Sequence, residues 1–283
     1  MLTDGFLSRL NGMRLTVRGR AQGGAGGNRR SAKLGSSAEF SDYREYIPGD
    51  DIRRLDWNAL ARFDKLFVKL FMEEQESAVT ILLDGSASMA EKWETARKAA
   101  ETVGYLALTG GDRLRLILLG EAGGRTFPVL SGRAAYARLE QYLDLCAPAG
   151  GGELTETVQR LDGLRKGLCF LISDCYTEQG MDGALDYLRY CKQETGVIQV
   201  LSGDEMRPDM EGALRLTDAE NGETVEILAD RGVLQQYARA LEAFTEGIRE
   251  SCFRREIPYV LLDGGKEFET EMLRLLNGSG IIG

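Results

Sequence analysis

The chain has 283 residues, 43% hydrophobic and 28% charged, which is enough to bury the core of one large domain or of a domain with an appendage. The formal net charge is −9, so the surface as a whole repels phosphate-rich partners. The chain contains no histidine, which excludes Ser-His-Asp and Cys-His catalytic sites, His-Glu-x-x-His zinc sites and two-His-one-carboxylate iron sites.

Targeting signals and cysteine usage both favour the cytosol. No apolar run approaches the roughly eighteen residues of a membrane span, and no charged-then-apolar leader follows Met1. The number of cysteines is odd and none forms a Cys-x-x-Cys pair, which indicates reduced, buried thiols and argues against a zinc site. The five are Cys146, Cys169, Cys175, Cys191 and Cys252. We therefore expect a cytoplasmic protein without a membrane span.

The first 35 residues are basic, with seven Arg or Lys against one acidic residue. No aromatic residues are interleaved with these cations as a base-stacking surface would require, so a nucleic-acid partner is not expected. The pattern predicts a short helix over residues 4–10 and a short strand from Met13 to Val17. The run from Gly19 to Gly27 predicts a flexible loop; it does not match a phosphate-binding loop, because no Gly-Lys-Ser/Thr follows it.

The stretch from Leu34 to Glu76 is dense in charged and aromatic residues. It contains a turn signal at residues 46–50, a predicted helix from Ile52 to Arg62 that carries Trp57, and a predicted strand from Leu66 to Met72. Two interpretations stay open for residues 50–62: a brace that packs on the rest of the protein, or a surface that contacts a partner.

A short apolar strand then ends in a group of oxygen-bearing side chains. Val79 to Leu83 is typical of a strand buried on both faces, and Asp84, Ser86 and Ser88 follow at its carboxyl end. A carboxylate and two hydroxyls suit a hard cation such as Mg²⁺, which prefers oxygen ligands and retains some of its waters. The same side chains could instead cap the next helix by accepting its free N–H groups.

At this point the chain resembles a known family. The residues that carry the resemblance are Gly35-Ser36-Ser37, Tyr43-Arg44, Pro48-Gly49-Asp50-Asp51-Ile52-Arg53, Asp56-Trp57, Ala61-Arg62, Val68-Lys69 and Asp84-x-Ser86-x-Ser88-Met89. They resemble the signature of domain of unknown function 58 (DUF58), whose members have a von Willebrand factor A-like domain with an Asp-x-Ser-x-Ser metal-ion-dependent adhesion site (MIDAS). Many relatives carry membrane helices ahead of this signature, and this chain looks like the short soluble type.

The remainder alternates buried strands with amphipathic helices, which favours an α/β fold. The expected architecture is a von Willebrand factor A-like, Rossmann-type, doubly wound and mostly parallel sheet with helices on both faces. The predicted strands are 114–119, 125–130, 168–172, 197–201 and 258–262, and the predicted helices contain Trp93 to Ala107, Tyr136 to Leu143, Val158 to Leu161, Met181 to Cys191, Val233 to Ile248 and Phe268 to Leu276.

Two domains are expected, with a boundary after residue 76. Residues 1–76 form a basic, glycine-rich segment and the signature region, and residues 77–283 form the von Willebrand factor A-like domain. A β-hairpin insertion is predicted near residues 213–228, because Asn221-Gly222 is a strong hairpin-turn signal.

The resemblance implies two further metal-site residues, Thr155 and Asp174. In von Willebrand A-like domains a threonine of the second loop reaches the metal, and Thr155 is the candidate, although Glu153 and Leu154 separate it from the preceding glycines. The alternative is that Thr155 is a helix N-cap. Asp174 follows the buried strand 168–172 and matches the third metal loop. Two carboxylates at neighbouring strand ends repel unless a cation or proton lies between them; the alternative for Asp174 is helix capping.

The expected function is a metal-dependent protein-binding adaptor and not an enzyme. The resemblance implies Mg²⁺, or Mn²⁺, at Asp84, Ser86, Ser88, Thr155 and Asp174, and a partner that offers an acidic residue to the metal. It also implies a MoxR-type AAA+ ATPase as partner, with ATP hydrolysis belonging to that ATPase. Two alternatives remain: a Mg-dependent hydrolase or phosphatase that uses the same site, and a metal-independent scaffold.

Overall fold

The computed structural model describes residues 1–16, 38–48, 50, 52, 55–57, 59–60, 65–73, 78–120, 124–209, 212–217 and 222–282. The predicted glycine-rich loop at 19–27, residues 53, 54, 58, 61 and 62 of the predicted helix at 52–62, and Asn221 of the predicted hairpin turn lie outside the described residues.

Eleven strands and eight α-helices are found in the described residues. The strands are β1 (Ala38–Glu45), β2 (Phe67–Glu73), β3 (Ala78–Asp84), β4 (Arg113–Leu119), β5 (Arg125–Thr126), β6 (Leu130–Ser131), β7 (Gly167–Ser173), β8 (Gln193–Leu201), β9 (Gly212–Thr217), β10 (Thr224–Ala229) and β11 (Tyr259–Asp263). The helices are α1 (Asp4–Leu10), α2 (Trp93–Thr109), α3 (Tyr136–Asp144), α4 (Leu154–Gln159), α5 (Asp182–Tyr190), α6 (Gly203–Met206), α7 (Arg231–Phe253) and α8 (Phe268–Ser279). Short 3₁₀ helices span Ala87–Lys92 and Arg133–Ala135.

The main sheet is the mostly parallel, doubly wound sheet predicted from the sequence. Its strand order is β11-β8-β7-β3-β4-β5, with β6 also paired to β4. The pairs β11/β8, β8/β7, β7/β3 and β3/β4 are parallel, whereas β5 and β6 run antiparallel to β4. The carboxyl ends of the four central strands therefore meet at one edge of the sheet, where ligands collect in folds of this kind.

Helices cover both faces of this sheet because the central strands are apolar on both sides. In β3, Ile81 and Leu83 point into one hydrophobic cluster and Leu82 into another, as the period of two in a strand requires. Helices α1, α2, α3 and α8 contribute to the first cluster, and α4, α5 and α7 contribute to the second. Parallel pairing of β3 with β4 and β7 gives its register, in which the last residue, Asp84, lies opposite Leu119.

The chain divides into two compact units, one of Met1–Ala21 with Ser77–Gly283 and one of Gln22–Glu76. The first helix belongs to the larger unit, whereas the sequence-based division placed residues 1–76 together. The reason is burial: Phe6 and Leu10 of α1 lie in the main core, and the backbone N–H of Leu2 donates to Glu101 on α2 at 3.2 Å.

Three predicted elements differ in detail. Instead of a strand from Met13 to Val17, Leu15 makes a single antiparallel bridge with Ile282, and Val17 lies outside the described residues. The strand predicted over residues 125–130 is split into β5 and β6, because Pro128 has no N–H to continue the ladder. The smaller unit contains an antiparallel hairpin of β1 and β2, of which only the second strand was predicted.

All five cysteines are free thiols, as predicted, and four of them are buried. Burial raises the pKa of Cys146 to about 11 and that of Cys252 to about 12. It also raises the pKa of the Cys169 and Cys175 thiols. Thiols that stay protonated at neutral pH are poor nucleophiles and poor metal ligands, so these residues act as small apolar side chains.

Candidate metal centre

Parallel pairing of β3 with β7 brings two carboxylates to the same edge of the sheet. Leu83 pairs with Ile172, so Asp84 at the end of β3 lies beside Ser173, and Asp174 follows directly. The Ser173 hydroxyl donates to Asp84 Oδ2 at 2.5 Å. Both Asp84 and Asp174 are buried. The predicted neighbourhood of Asp84 and Asp174 is therefore present.

The two serines after Asp84 are spaced like adjacent ligands of one ion. Ser86 Oγ and Ser88 Oγ lie 3.0 Å apart, and the backbone N–H of Ser86 donates to Asp84 Oδ1 at 2.9 Å. Mg²⁺ binds oxygens octahedrally at 2.0–2.1 Å, so neighbouring ligands lie about 3 Å apart. Ser86 is the N-cap of the 3₁₀ helix Ala87–Lys92 but makes no side-chain cap bond. The Ser86 hydroxyl therefore does not cap that helix; it shares a hydrogen bond with the Ser88 hydroxyl.

We call the group of Asp84, Ser86 and Ser88 the corner. Backbone hydrogen bonds of Gly85 and Ala87 hold it against two neighbouring segments. The N–H of Gly85 donates to the carbonyl of Leu119 at the end of β4, and its carbonyl accepts from the N–H of Ala149. The N–H of Ala87 donates to the carbonyl of Gly150 at 2.7 Å. A Cβ on Gly85 would lie 2.8 Å from the Leu119 carbonyl oxygen, so glycine is required by close approach.

Thr155 is buried, but no hydrogen bond joins it to Asp84, Ser86 or Ser88 in the described structure. It is the second residue of α4, whose N-cap is Glu153, so the alternative that Thr155 is the N-cap is wrong. Its hydroxyl donates to the carbonyl of Gly180 at 2.8 Å, which leaves its oxygen lone pairs unused by that bond.

Glu153, in the loop before α4, binds the segment that follows Asp174. Its carboxylate accepts from the Thr177 hydroxyl and, at 3.0 Å, from the backbone N–H of Glu178. The two residues that separate Thr155 from the glycines thus have a structural role: Glu153 ties the second loop to the third, and Leu154 is buried in the core.

Asp174 has both carboxylate oxygens engaged within the protein. Oδ1 accepts from the backbone N–H of Tyr176 at 3.0 Å, and Oδ2 lies 2.8 Å from Lys92 Nζ in an ion pair whose angles fall outside hydrogen-bond geometry. The N-cap of α5 is Met181, so Asp174 does not cap that helix.

Lys92 is a residue of this site that the sequence analysis did not single out. Its side chain is 3% exposed, and its ammonium pairs with Asp174 and, at 2.6 Å, with Glu205 of α6, the short helix that follows β8. It also lies 5.0 Å from the centre of the Tyr176 ring. Burial lowers the pKa of Lys92, but the charges of Asp174 and Glu205 outweigh burial, so the pKa is raised. No signal in the sequence indicates this contact, because Glu205 lies 113 positions from Lys92 along the chain.

The charged form of Asp84 is electrostatically unfavourable at its buried position. Burial first, and then the charge of Asp174, raise the pKa of Asp84, and the hydrogen bonds from Ser173 and Ser86 only partly oppose this. The charged form of Asp84 is therefore destabilised in the folded protein, which is the condition under which a bound cation would be most favourable.

Asp84→Asn is expected to raise the melting temperature at pH 7 in EDTA. Because the pKa is raised in the folded state, stability is lost as the pH increases above the ordinary value of 3.8 towards the folded-state pKa. The advantage of the variant should therefore shrink towards pH 4. Calorimetry on both proteins from pH 4 to 7 checks this, with exposed Asp162→Asn as control. A variant less stable than wild type at pH 7 would contradict it.

The donor set fits a hard divalent cation held by Asp84, Ser86 and Ser88. All three offer oxygen, and two are hydroxyls at the spacing of neighbouring ligands. Among the described residues, no group of three or more His, Cys, Asp or Glu side chains is arranged to hold a metal ion. The ion pair with Lys92 places Asp174 outside this set, whereas the oxygens of Asp84 accept only from neutral donors, the N–H of Ser86 and the hydroxyl of Ser173.

Comparison with known proteins identifies the family. The family described as Protein of unknown function DUF58 matches residues 42–246. The chain belongs to the DUF58 family. This DUF58 protein is 25% identical over 284 residues to the Uncharacterized protein Rv1480 of Mycobacterium tuberculosis (strain ATCC 25618 / H37Rv), a match that covers 94% of this chain and 87% of Rv1480. The Uncharacterized protein Mb1516 of Mycobacterium bovis matches with the same identity and coverage.

Solved structures of similar shape include the SpRpn10 VWA domain, at 9% identity and a TM-score of 0.39, covering 72% of this chain and 96% of that domain. The conserved hypothetical protein BatB from Bacteroides thetaiotaomicron is 16% identical with a TM-score of 0.40, covering 71% of this chain and all of the BatB chain. The strand order of this DUF58 protein is that of a doubly wound α/β fold.

No helix among the described residues of this DUF58 protein has the length and apolar character needed to cross a lipid bilayer.

Proposed function

We propose that this DUF58 protein is a protein-binding adaptor whose contact with its partner depends on a divalent cation, Mg²⁺ or Mn²⁺. Asp84, Ser86 and Ser88 would hold the cation. The observation that carries the proposal is the 3.0 Å spacing of the two serine hydroxyls next to a buried carboxylate at the carboxyl ends of parallel strands.

The charge of the donor set favours binding of an acidic group. Only Asp84 among the three side chains carries a charge, so a divalent cation there would keep part of its own charge and attract a partner's carboxylate. Ser86 and Ser88 are half-buried, which leaves the corner open to a protein surface. The role of the residues of this chain is to bind and orient, and the proposal includes no catalytic residue.

A MoxR-type AAA+ ATPase is the proposed partner, or a client protein on which such an ATPase acts. Support for the ATPase comes only from the family resemblance of residues 35–89. In this proposal ATP hydrolysis belongs to the partner, and this chain supplies the contact between the ATPase and its client.

A metal-independent scaffold is the second candidate, and one observation favours it. Lys92 already places a positive charge 2.8 Å from Asp174, so the corner has a counterion without any metal. In that case Asp84, Ser86 and Ser88 would be structural, and partner binding would be insensitive to chelators.

Affinity capture from native lysate, with and without EDTA, tests the adaptor against the scaffold. We expect a specific partner to be recovered with Mg²⁺ and lost with EDTA. Asp84→Ala should lose that partner in both conditions, whereas Asp162→Ala, which changes an exposed carboxylate in the loop before β7, should behave as wild type. Recovery of the same partner by wild type and Asp84→Ala in EDTA would overturn metal dependence, and mass spectrometry would show whether an AAA+ ATPase is present.

A further inference from the structure

Lys92 lies at the proposed metal corner and is held there on several sides. Its ammonium contacts Asp174 Oδ2 at 2.8 Å and Glu205 Oε1 at 2.6 Å, and the face of Tyr176 lies beside it. Glu205 is fixed in turn, because its other carboxylate oxygen accepts from the backbone N–H of Ser202 in a capping box that starts α6. The ammonium therefore cannot leave without breaking two short contacts inside a buried cluster.

We propose that Lys92 sets the metal affinity of this corner by keeping Asp174 out of the ligand set and by repelling the cation. The inference rests on the proposed function, since it concerns the same metal. Asp174 is 1% exposed and both of its oxygens are engaged, one by Lys92 and one by the N–H of Tyr176. Asp84, whose oxygens accept only from the neutral N–H of Ser86 and hydroxyl of Ser173, is then the carboxylate left to face the cation.

The charges explain why this arrangement is useful for an adaptor. The pairing of β3 with β7 brings Asp84 and Asp174 to the same edge of the sheet, so a divalent cation shared by both carboxylates would be strongly held and largely neutralised. With Lys92 neutralising Asp174, a cation on Asp84 is held more weakly but keeps more positive charge for a partner's carboxylate. Lys92 thus lowers the affinity of the corner for the metal and raises the affinity of the bound metal for a partner's carboxylate.

This division of roles makes Lys92 a positioning residue, because it acts on the cation through Asp174. A structural role alone would predict lower stability on substitution without any gain in metal affinity. The proposal predicts a gain, so metal titration separates the two roles.

Isothermal titration of Mg²⁺ and Mn²⁺ into the purified full chain tests the inference. Lys92→Met is expected to bind either cation about tenfold more tightly than wild type or better, because Asp174 is released and the ammonium's repulsion is removed. Equal or weaker binding by a folded Lys92→Met protein would overturn the inference while leaving wild-type metal binding, and hence the proposed function, in place.

A second pair of variants keeps the test valid if Lys92→Met does not fold. Asp174→Asn retains the ammonium, with Glu205 still available as its partner, and Lys92→Met/Asp174→Asn lacks the ammonium but leaves no unpaired carboxylate at position 174. The double variant should bind metal more tightly than Asp174→Asn, and equal affinity would count against Lys92.

The failures of the two proposals are distinguishable. If wild type binds no metal but Lys92→Met does, and Asp84→Ala added to Lys92→Met abolishes that binding, then Lys92 is confirmed as the controlling residue and the adaptor proposal is wrong in its metal dependence. If none of these proteins binds Mg²⁺ or Mn²⁺, both proposals are wrong.

Discussion

Phe170→Ala is expected to lower the free energy of unfolding by about 3–5 kcal/mol, because the substitution opens a cavity at the centre of the sheet. Phe170 is fully buried on β7, between β3 and β8. Its ring covers the backbone of Gly196 on β8, where an added Cβ would lie 3.1 Å from the ring. Urea denaturation monitored by circular dichroism measures the change.

The matched control for this prediction is Phe253→Ala, which removes the same side chain from a position that is 76% exposed at the end of α7. We expect its effect to stay within about 0.5 kcal/mol. Because folded domains are stable by only about 5–15 kcal/mol, the buried substitution should shift the urea midpoint markedly and the exposed one should not. Equal shifts in the two variants would contradict the position given to Phe170 in the core.

Gly85→Val is expected to cost about 1–3 kcal/mol of stability and to abolish metal binding. The new Cβ would lie 2.8 Å from the carbonyl oxygen of Leu119 and 2.9 Å from a methyl group of Leu118, so the corner must move away from β4. That movement breaks the hydrogen bond from Gly85 to Leu119 and shifts Asp84, the residue just before it. Chemical denaturation and Mg²⁺ titration of the same preparation measure both effects.

Gly120→Val is the control, because it places the same side chain one residue beyond β4 where an added Cβ meets no atom within 4 Å. We expect this variant to keep wild-type metal affinity and nearly wild-type stability. If Gly85→Val bound metal as well as Gly120→Val does, the corner around Asp84 could not be the metal site.

The main sheet was predictable because its signal is local. The apolar run before Asp84 and the run before Asp174 are buried on both faces, and each became a central strand within one or two residues of the predicted bounds. In a doubly wound sheet helices cover both faces of every central strand, so these strands appear in the sequence as continuous apolar runs. Each helix is covered on one face, so its apolar residues recur every 3.6 positions. The Asn221-Gly222 signal likewise led to the antiparallel pair of β9 and β10.

The parts that could not be predicted depend on contacts between distant residues. Lys92 reads as an ordinary surface lysine near the start of a helix, and only the arrival of Asp174 and Glu205 from two other strand ends makes it a buried cation. Thr155 was proposed from loop order, but its bond to Gly180 depends on how the third loop folds back. The ion pairs and loop contacts of the site are therefore properties of the assembled sheet, which sequence periodicity does not encode.

The order of the strands also determines when the corner can come into existence. The hydrogen bond from Ser173 to Asp84 joins residues 89 positions apart, and the contact of Lys92 with Glu205 joins residues 113 positions apart. Contacts of such long range form late in folding, because the chain loses the entropy of closing a large loop before the contact stabilises it. During synthesis the cluster cannot be complete until Glu205 has left the ribosome and β8 has joined β7. A nascent or truncated chain that ends earlier carries Asp84, Ser86 and Ser88 but lacks the counterion arrangement around Lys92. The cluster of Lys92, Asp174 and Glu205 is therefore complete only after β8 has joined β7.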